Sequence, residues 1–367
     1  MIEAKELLKA LIKKASTDPQ RGALIPIISA LQSIGLDWKL EMIEEDMYNI
    51  LLPLSSSPKL IVEVHYDVVP SVIEGYQTKE GEENGRIYGR GTSDVLGGVA
   101  ILLEVLKRLG REFPWERAGV WIAFVADEEK GGKGSRHLAS SLPSTIQYAL
   151  VIEPTQSKLA FSSCGALEYE LIIKGVPSHG SIPERGKNPI TWASRFIIKM
   201  EEALSKLNTL YKPDIPVQIT PLFISGGSEE YSVPHEARLN FDIRIPPKVP
   251  ISDVEREVNS LLGNDKDVEV HCKLVEEWAP SWETDEYTEF GQFLQKLYRE
   301  VYNEEPKFKI MESWTDAHNF WAKGIKPVIW GPGDLALAHT PFEYIDIQEL
   351  EKGKEFLEKF FYRLLEF

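Results

Sequence analysis

Cysteine is nearly absent: Cys164 and Cys272 are the two in 367 residues. That excludes a disulfide framework and a cysteine-rich zinc module. Long apolar runs are absent as well. The longest unbroken one, Val120–Ala126, spans seven residues, against the roughly 18 that a membrane span needs. Basic residues are in deficit, 41 Lys+Arg against 57 Asp+Glu, for a formal net charge of −16. This argues against a nucleic-acid partner, because phosphate binding needs clustered cations. The acidic excess is compatible with carboxylates gathered to hold cations. The first fifteen residues carry Glu3, Lys5, Glu6, Lys9, Lys13 and Lys14 among apolar positions. They read as an amphipathic helix, not as a signal peptide with an uncharged centre. A cytoplasmic location is therefore the expectation. No fixed-period repeat or low-complexity tract occurs, and the length predicts roughly two domains.

What is present is an alternation of strand and helix signals. Leu60–Val64, Val120–Ala126 and Tyr148–Ile152 are short, apolar and rich in β-branched or aromatic residues. Between the first two, a helix beginning after Gly97-Gly98 carries Val99, Leu102, Leu103, Leu106 and Leu109, and Gly110 ends it. Buried strands separated by helices predict an α/β fold with a mixed, largely parallel sheet flanked by helices. After about residue 166 the pattern changes. An alternating strand at Leu167–Ile173 precedes a helix with Trp192, Phe196, Met200, Leu204 and Leu207. A strand at Ala237–Ile245, a helix at Ile251–Leu262 and a strand at Val268–Leu274 follow. Such a β-α-β-β-α-β-like run predicts an inserted α+β open-faced sandwich. The expected organisation is residues 1–166, then 167–277 as the insertion, then 278–367 completing the first domain. The last part carries a helix at Asp285–Val301, a strand at Pro327–Trp330 and a closing helix from Ile347.

Each long apolar strand runs into ionisable residues: His65 and Asp67, then Asp127, Glu128 and Glu129, then Glu153. Ligands of open α/β sheets bind beyond the carboxyl ends of the strands. Carboxylates crowded there need a compensating positive charge, and a metal is the simplest. Imidazole and carboxylate suit zinc. Asp67, two residues from His65, is placed to accept the second ring hydrogen and orient the ring. The GRGTSD loop at Gly89–Asp94 delivers another carboxylate ahead of a helix, and Gly331–His339 brings a histidine after a strand. Two divalent cations balance Asp94, Glu129, Glu153 and one hydroxide. Glu128 is left free, as a general base requires.

These motifs, in this order, resemble the zinc-dependent family of acetylornithine deacetylase, succinyl-diaminopimelate desuccinylase, aminoacylase and glutamate carboxypeptidase. The resemblance covers the chain and includes the insertion as a lid and dimerisation domain. It implies two Zn2+ ions, with Co2+ a possible substitute, bridged by Asp94. His65 and Glu153 would complete one metal shell, Glu129 and His339 the other. Glu128 would be the general acid/base and Asp67 a supporting residue, with Asp316, in Trp314–Ala317, another near the active site. In GVPSH at Gly175–His179, His179 would reach a neighbouring subunit's active site and stabilise the oxyanion. Arg244, in Asp242–Arg244, would bind the substrate's carboxylate. The resemblance implies a homodimer through the lid.

Two departures stand out. Leu96 replaces the family's usual lysine two residues after the bridging aspartate, and Tyr231 replaces an asparagine two residues before Val233-Pro234. Tyr231 is consequently a substrate-binding candidate of altered character. Gly180, where serine is common, is a smaller deviation. Taken singly, His65 and His339 would be structural histidines, Asp94 a helix cap, and Glu128 and Glu129 surface charges. Their ordered set points to ligands. Gly131–Ser135 lacks the spacing and ending of a phosphate loop and reads as a turn into a helix. The expected activity is hydrolysis of a small amide bearing a carboxylate, such as an N-acyl amino acid. The alternatives are a carboxypeptidase or dipeptidase with the same centre, a lidless aminopeptidase, which the insertion with His179 and Arg244 disfavours, and a noncatalytic metal-binding protein.

Overall fold

The computed structural model describes residues 4–73, 75–227, 230–263, 268–277 and 280–367. They fall into two compact units, one of Met1–Phe161, Thr284–Lys309 and Thr315–Phe367, the other of Ser162–Glu283 with Ile310–Trp314.

In the larger unit the strands Lys39–Glu44, Met47–Leu52, Val120–Val125, Leu60–His65, Tyr148–Val151, Lys326–Ile329 and Leu159–Ser163 lie side by side in that order. The three central pairings are parallel and the marginal ones antiparallel. The expected mixed, largely parallel sheet is therefore present. Strands at its centre read as unbroken apolar runs because both faces are covered: every residue of Leu60–His65 is buried. The helices Ala4–Ala15, Gly97–Leu109, Glu289–Tyr302 and Ile347–Leu364 share its core, where Trp330 stacks on Phe356 at 4.0 Å. Gly98 sets the approach of the Gly97–Leu109 helix to this sheet. A Cβ there would lie 2.6 Å from the Ile152 Cγ2.

The outer hairpin Lys39–Glu44 and Met47–Leu52 has no counterpart among the sequence expectations. Its exposed strand, KLEMIE, is too polar to announce itself, and Asp46 turns it with a φ of 62°.

The smaller unit holds a four-stranded antiparallel sheet in the order Gln218–Gly226, Glu236–Ile245, Gly165–Lys174, Glu269–Glu277. Two helices, Pro189–Tyr211 and Ile251–Leu262, share its separate core with Leu171, Phe196, Phe241 and Ile243. Periodicity does not locate the Gln218–Gly226 strand. It contains Pro221, its register shifts between Pro221 and Phe223, and it lies at the edge, where proline is tolerated. Of the lid-turn motif Gly226–Pro234, Ser228 and Glu229 lie outside the described residues. No helix among the described residues is long and apolar enough to cross a membrane.

Candidate metal centre

Parallel pairing assembles the site. His65 pairs with Val125, so Asp127, Glu128 and Glu129 emerge just beyond it. Glu63 pairs with Val151, which places Glu153 level with His65. Asp127 turns the chain after its strand with a φ of 71°, and the Glu128 and Glu129 N–H groups then donate to the Asp67 carboxylate at 3.2 Å each. Asp94 is buried and extended (φ −120°, ψ 91°) ahead of the Gly97–Leu109 helix.

The result is two groups of side chains, His65 with Glu128 and Glu153, and Asp94 with Glu129 and His339. In each, one ligand atom per residue lies within 4.8 Å of the others. Asp94 stands between them. Its Oδ1 is 3.2 Å from His65 Nε2 and its Oδ2 3.6 Å from His339 Nε2. His65 Nε2 is also 3.8 Å from Glu153 Oε1 and 3.9 Å from Glu128 Oε2, and His339 Nε2 is 3.0 Å from Glu129 Oε2. Ligands about 2 Å from a shared zinc are themselves roughly 3–3.5 Å apart, so small side-chain adjustments suffice.

The donor set fits a cation in two further respects. Glu129 Oε1 is buried without a hydrogen-bond partner. His65 Nδ1–H donates to the Asp67 carbonyl at 3.0 Å, leaving Nε2 to face carboxylate oxygens. A bare lone pair there would be repelled, so the ring must carry either a second proton or a cation. The orientation of His65 thus differs from expectation. The Asp67 main-chain carbonyl holds the ring, while its carboxylate, 3.8 Å from Nδ1, holds the backbone of the Glu128–Glu129 turn.

The electrostatics follow from crowding. Burial raises Glu128 and Glu153 well above the usual carboxylate range, with neighbouring carboxylates adding to it, and pushes Asp67 up to about 7. Burial also opposes ionisation of Asp94, but the hydrogen bond and charge of His65 leave it lowered. Burial disfavours the charged form of both histidines. The carboxylates win, raising His65 well above its ordinary value and half-exposed His339 to about 9.

Beneath the site lies a buried network of which the sequence resemblance announces Asp316 alone. Asp316 accepts the Ser135 hydroxyl and Asn319 Nδ2 donates to Ser135 Oγ at 2.7 Å. Buried Glu63 borders it, its pKa raised well above the carboxylate range by burial and by Asp316. Ser135 belongs to the Lys133–Ser141 helix, so Gly131–Ser135 is a turn into a helix, as read. No spacing rule links positions 63, 135 and 316.

In the smaller unit, Ser181 N–H donates to His179 Nδ1 at 3.3 Å, so the ring carries its proton on Nε2 when neutral. The Tyr231 ring, 73% exposed, meets it edge-on with centroids 5.6 Å apart. Arg244 Nε donates to Asp242 Oδ1 at 2.8 Å, and its Nη1 has no partner.

Comparison with known proteins agrees with the sequence resemblance. The profile of Peptidase family M20/M25/M40 matches residues 61–363. Acetylornithine deacetylase of Proteus mirabilis (strain HI4320) is 26% identical over 361 residues, spanning 94% of this chain and 90% of that protein. Succinyl-diaminopimelate desuccinylase of Buchnera aphidicola subsp. Cinara cedri (strain Cc) is 26% identical over 300 residues, 77% of this chain and 76% of that protein. Among solved structures, a Staphylococcus aureus tripeptidase superimposes with a TM-score of 0.79 at 20% identity, covering 100% of both chains. It shares the fold.

Proposed function

Because the chain belongs to Peptidase family M20/M25/M40, we propose that this metal-binding hydrolase is a di-zinc enzyme cleaving the amide bond of a small substrate that bears a carboxylate, such as an N-acyl amino acid. The observation that carries the reading is the placement of Asp94, whose two oxygens face two different histidines. On this reading Asp94, His65 and Glu153 would hold one ion, and Asp94, Glu129 and His339 the other. Zinc, or cobalt in its place, supplies Lewis acidity toward the scissile carbonyl and makes water acidic enough to attack at neutral pH.

Glu128 is the proton carrier. It lies farther from His65 than Asp94 does, and its side chain is more exposed than that of Glu153, 11% against 4%. Burial raises its pKa, which suits a group that takes a proton from water and returns it to the leaving amine. Asp67 keeps the Glu128–Glu129 turn in place. His179, with its proton on Nε2, donates to the oxyanion, and the Arg244 guanidinium, whose buried Nη1 has no partner, takes the substrate's carboxylate. Tyr231 lies against His179 and contributes to substrate placement.

The assembly proposed is a homodimer through the smaller unit, with His179 acting on the other subunit's substrate. The exposed Leu222, Phe223 and Ile224 on the edge strand Gln218–Gly226 support it. The place of action proposed is the cytoplasm.

The test is a panel of N-acetyl and N-succinyl amino acids beside dipeptides, run on zinc- or cobalt-loaded protein. Acyl amino acids should be cleaved faster, chelation should abolish turnover, and added metal should restore it. Glu128→Ala should lose about 10²–10⁴ in kcat while binding the same metal equivalents. Faster cleavage of dipeptides would reassign the protein as a peptidase. Inertness of fully loaded protein on the whole panel would make it a noncatalytic metal binder.

A further inference from the structure

Arg90 and Glu343 form an ion pair from which water is excluded, with side chains 2% and 0% exposed and Arg90 Nη1 2.6 Å from Glu343 Oε2. A buried pair of this kind is a poor stabilising device, because desolvating both charges offsets their attraction. Its other contacts point to what it does. Glu343 Oε1 accepts the N–H groups of Ser93 and Asp94, at 3.1 and 3.2 Å. The Glu343 carbonyl accepts the Gly89 N–H at 3.1 Å, and Arg90 Nε donates to the Pro70 carbonyl at 3.2 Å. Ser93 Oγ donates to the Tyr344 carbonyl at 2.9 Å and accepts the Asp334 N–H at 3.2 Å. The Gly89–Asp94 loop is thereby fastened to the Gly331–Tyr344 segment.

That segment carries His339, four residues before Glu343, with its backbone at a φ of 62°, in the left-handed region uncommon for residues other than glycine. Asp94 and His339 belong to the same donor group yet are 245 positions apart. Glu343 is the side chain that grips the main chain of one from the loop of the other.

We propose that Glu343, held by Arg90, is a positioning residue for the metal centre. It fixes the Asp94 backbone against the His339 loop, so that the Asp94–Glu129–His339 group is preformed before a cation arrives. The proposal rests on reading the two donor groups as a metal centre. Residues that orient ligands from behind cost about 10–100-fold in metal affinity when altered.

Cobalt titration of the metal-stripped full-length protein tests it, with the visible absorption of Co(II) reporting coordination and chelator competition giving the affinity. Glu343→Gln loses the charge opposite Arg90. Glu343→Asp keeps the charge but falls short of the two amides, and serves if the first variant does not fold. Both should bind cobalt about 10–100-fold more weakly with an altered visible spectrum. Asp346→Asn, which breaks the neighbouring exposed pair with Arg86, should match the parent protein. A merely structural role for Glu343 would lower the melting temperature of the metal-free protein but leave cobalt affinity and spectrum unchanged. That result overturns the proposal while leaving the metal-centre reading standing. A parent protein that takes up no cobalt overturns both.

Discussion

A histidine and an aspartate two positions apart invite the idea of a side-chain pair, yet His65 and Asp67 divide the work differently. The Asp67 carbonyl receives the ring, and its carboxylate serves two amides of the next strand end. A carboxylate with two oxygens can satisfy two donors, whereas a ring N–H needs one acceptor, and the main chain supplied it. The cysteines show the same dependence of chemistry on surroundings. Cys164 is buried, which pushes its thiol up to about 12, while Cys272 is exposed. A thiol reagent should therefore modify one thiol per chain, Cys272, in the native protein, with Cys164 following only in denaturant. Two fast-reacting thiols under native conditions would contradict the burial of Cys164.

At the scale of elements, two sequence departures that read as unrelated are neighbours. Gly180 lies beside Tyr231: a Cβ at Gly180 would come within 2.9 Å of the Tyr231 ring carbons, and the Gly180 N–H donates to the Tyr231 carbonyl at 3.0 Å. The missing side chain at one position makes room for the added ring at the other. A double-mutant cycle should expose this coupling. Gly180→Ala alone should lower stability and disturb His179, while the same change in a Tyr231→Ala background should cost less, with an interaction of about 0.5–3 kcal/mol. Strict additivity in the melting data would dissolve the pairing. Gly97-Gly98 teaches a similar lesson. Read along the chain it marked a helix start, but in the fold its absent side chains bring the helix against Ile152 and Thr92.

For the molecule as a whole, the concentrated carboxylates set the response to pH and metal. In the metal-free protein Asp67 is pushed to about 7 and Asp316 to about 6, chiefly by burial, and Glu63, Glu128 and Glu153 are raised well above their ordinary value. Unfolded carboxylates titrate near 4, so the folded chain holds the extra protons between about pH 4 and 7, and stability falls as pH rises through that range. His65, raised, and His339, at about 9, act in the same direction: their contribution is complete below about 6.5 and lost as pH climbs through the folded values. Asp94, lowered, runs the other way, but below about pH 4. The melting temperature of metal-free protein should accordingly decline from about pH 5 to 9. Zinc at about 100 times its dissociation constant should add about 2.7 kcal/mol and flatten that decline, because its ligands bind deprotonated. A metal-free melting temperature that rises over the same range would refute the electrostatic account.

Residue order alone determined the α/β character, the central strands with ionisable residues at their carboxyl ends, and the inserted sheet-and-helix segment. Each of these is written in local run length and period, which a chain carries wherever it lies. The polar edge strand Lys39–Glu44 escaped because an edge does not demand an apolar face, and Gln218–Gly226 because Pro221 and the register shift beside it break its alternation. Only the tertiary structure decided which carboxylate faces which histidine, that the Asp67 backbone rather than its carboxylate holds His65, and that Glu63, Arg90 and Glu343 stand behind the site. Those relations come from parallel strand pairing and loop closure across tens to hundreds of positions. Linear spacing holds no record of them.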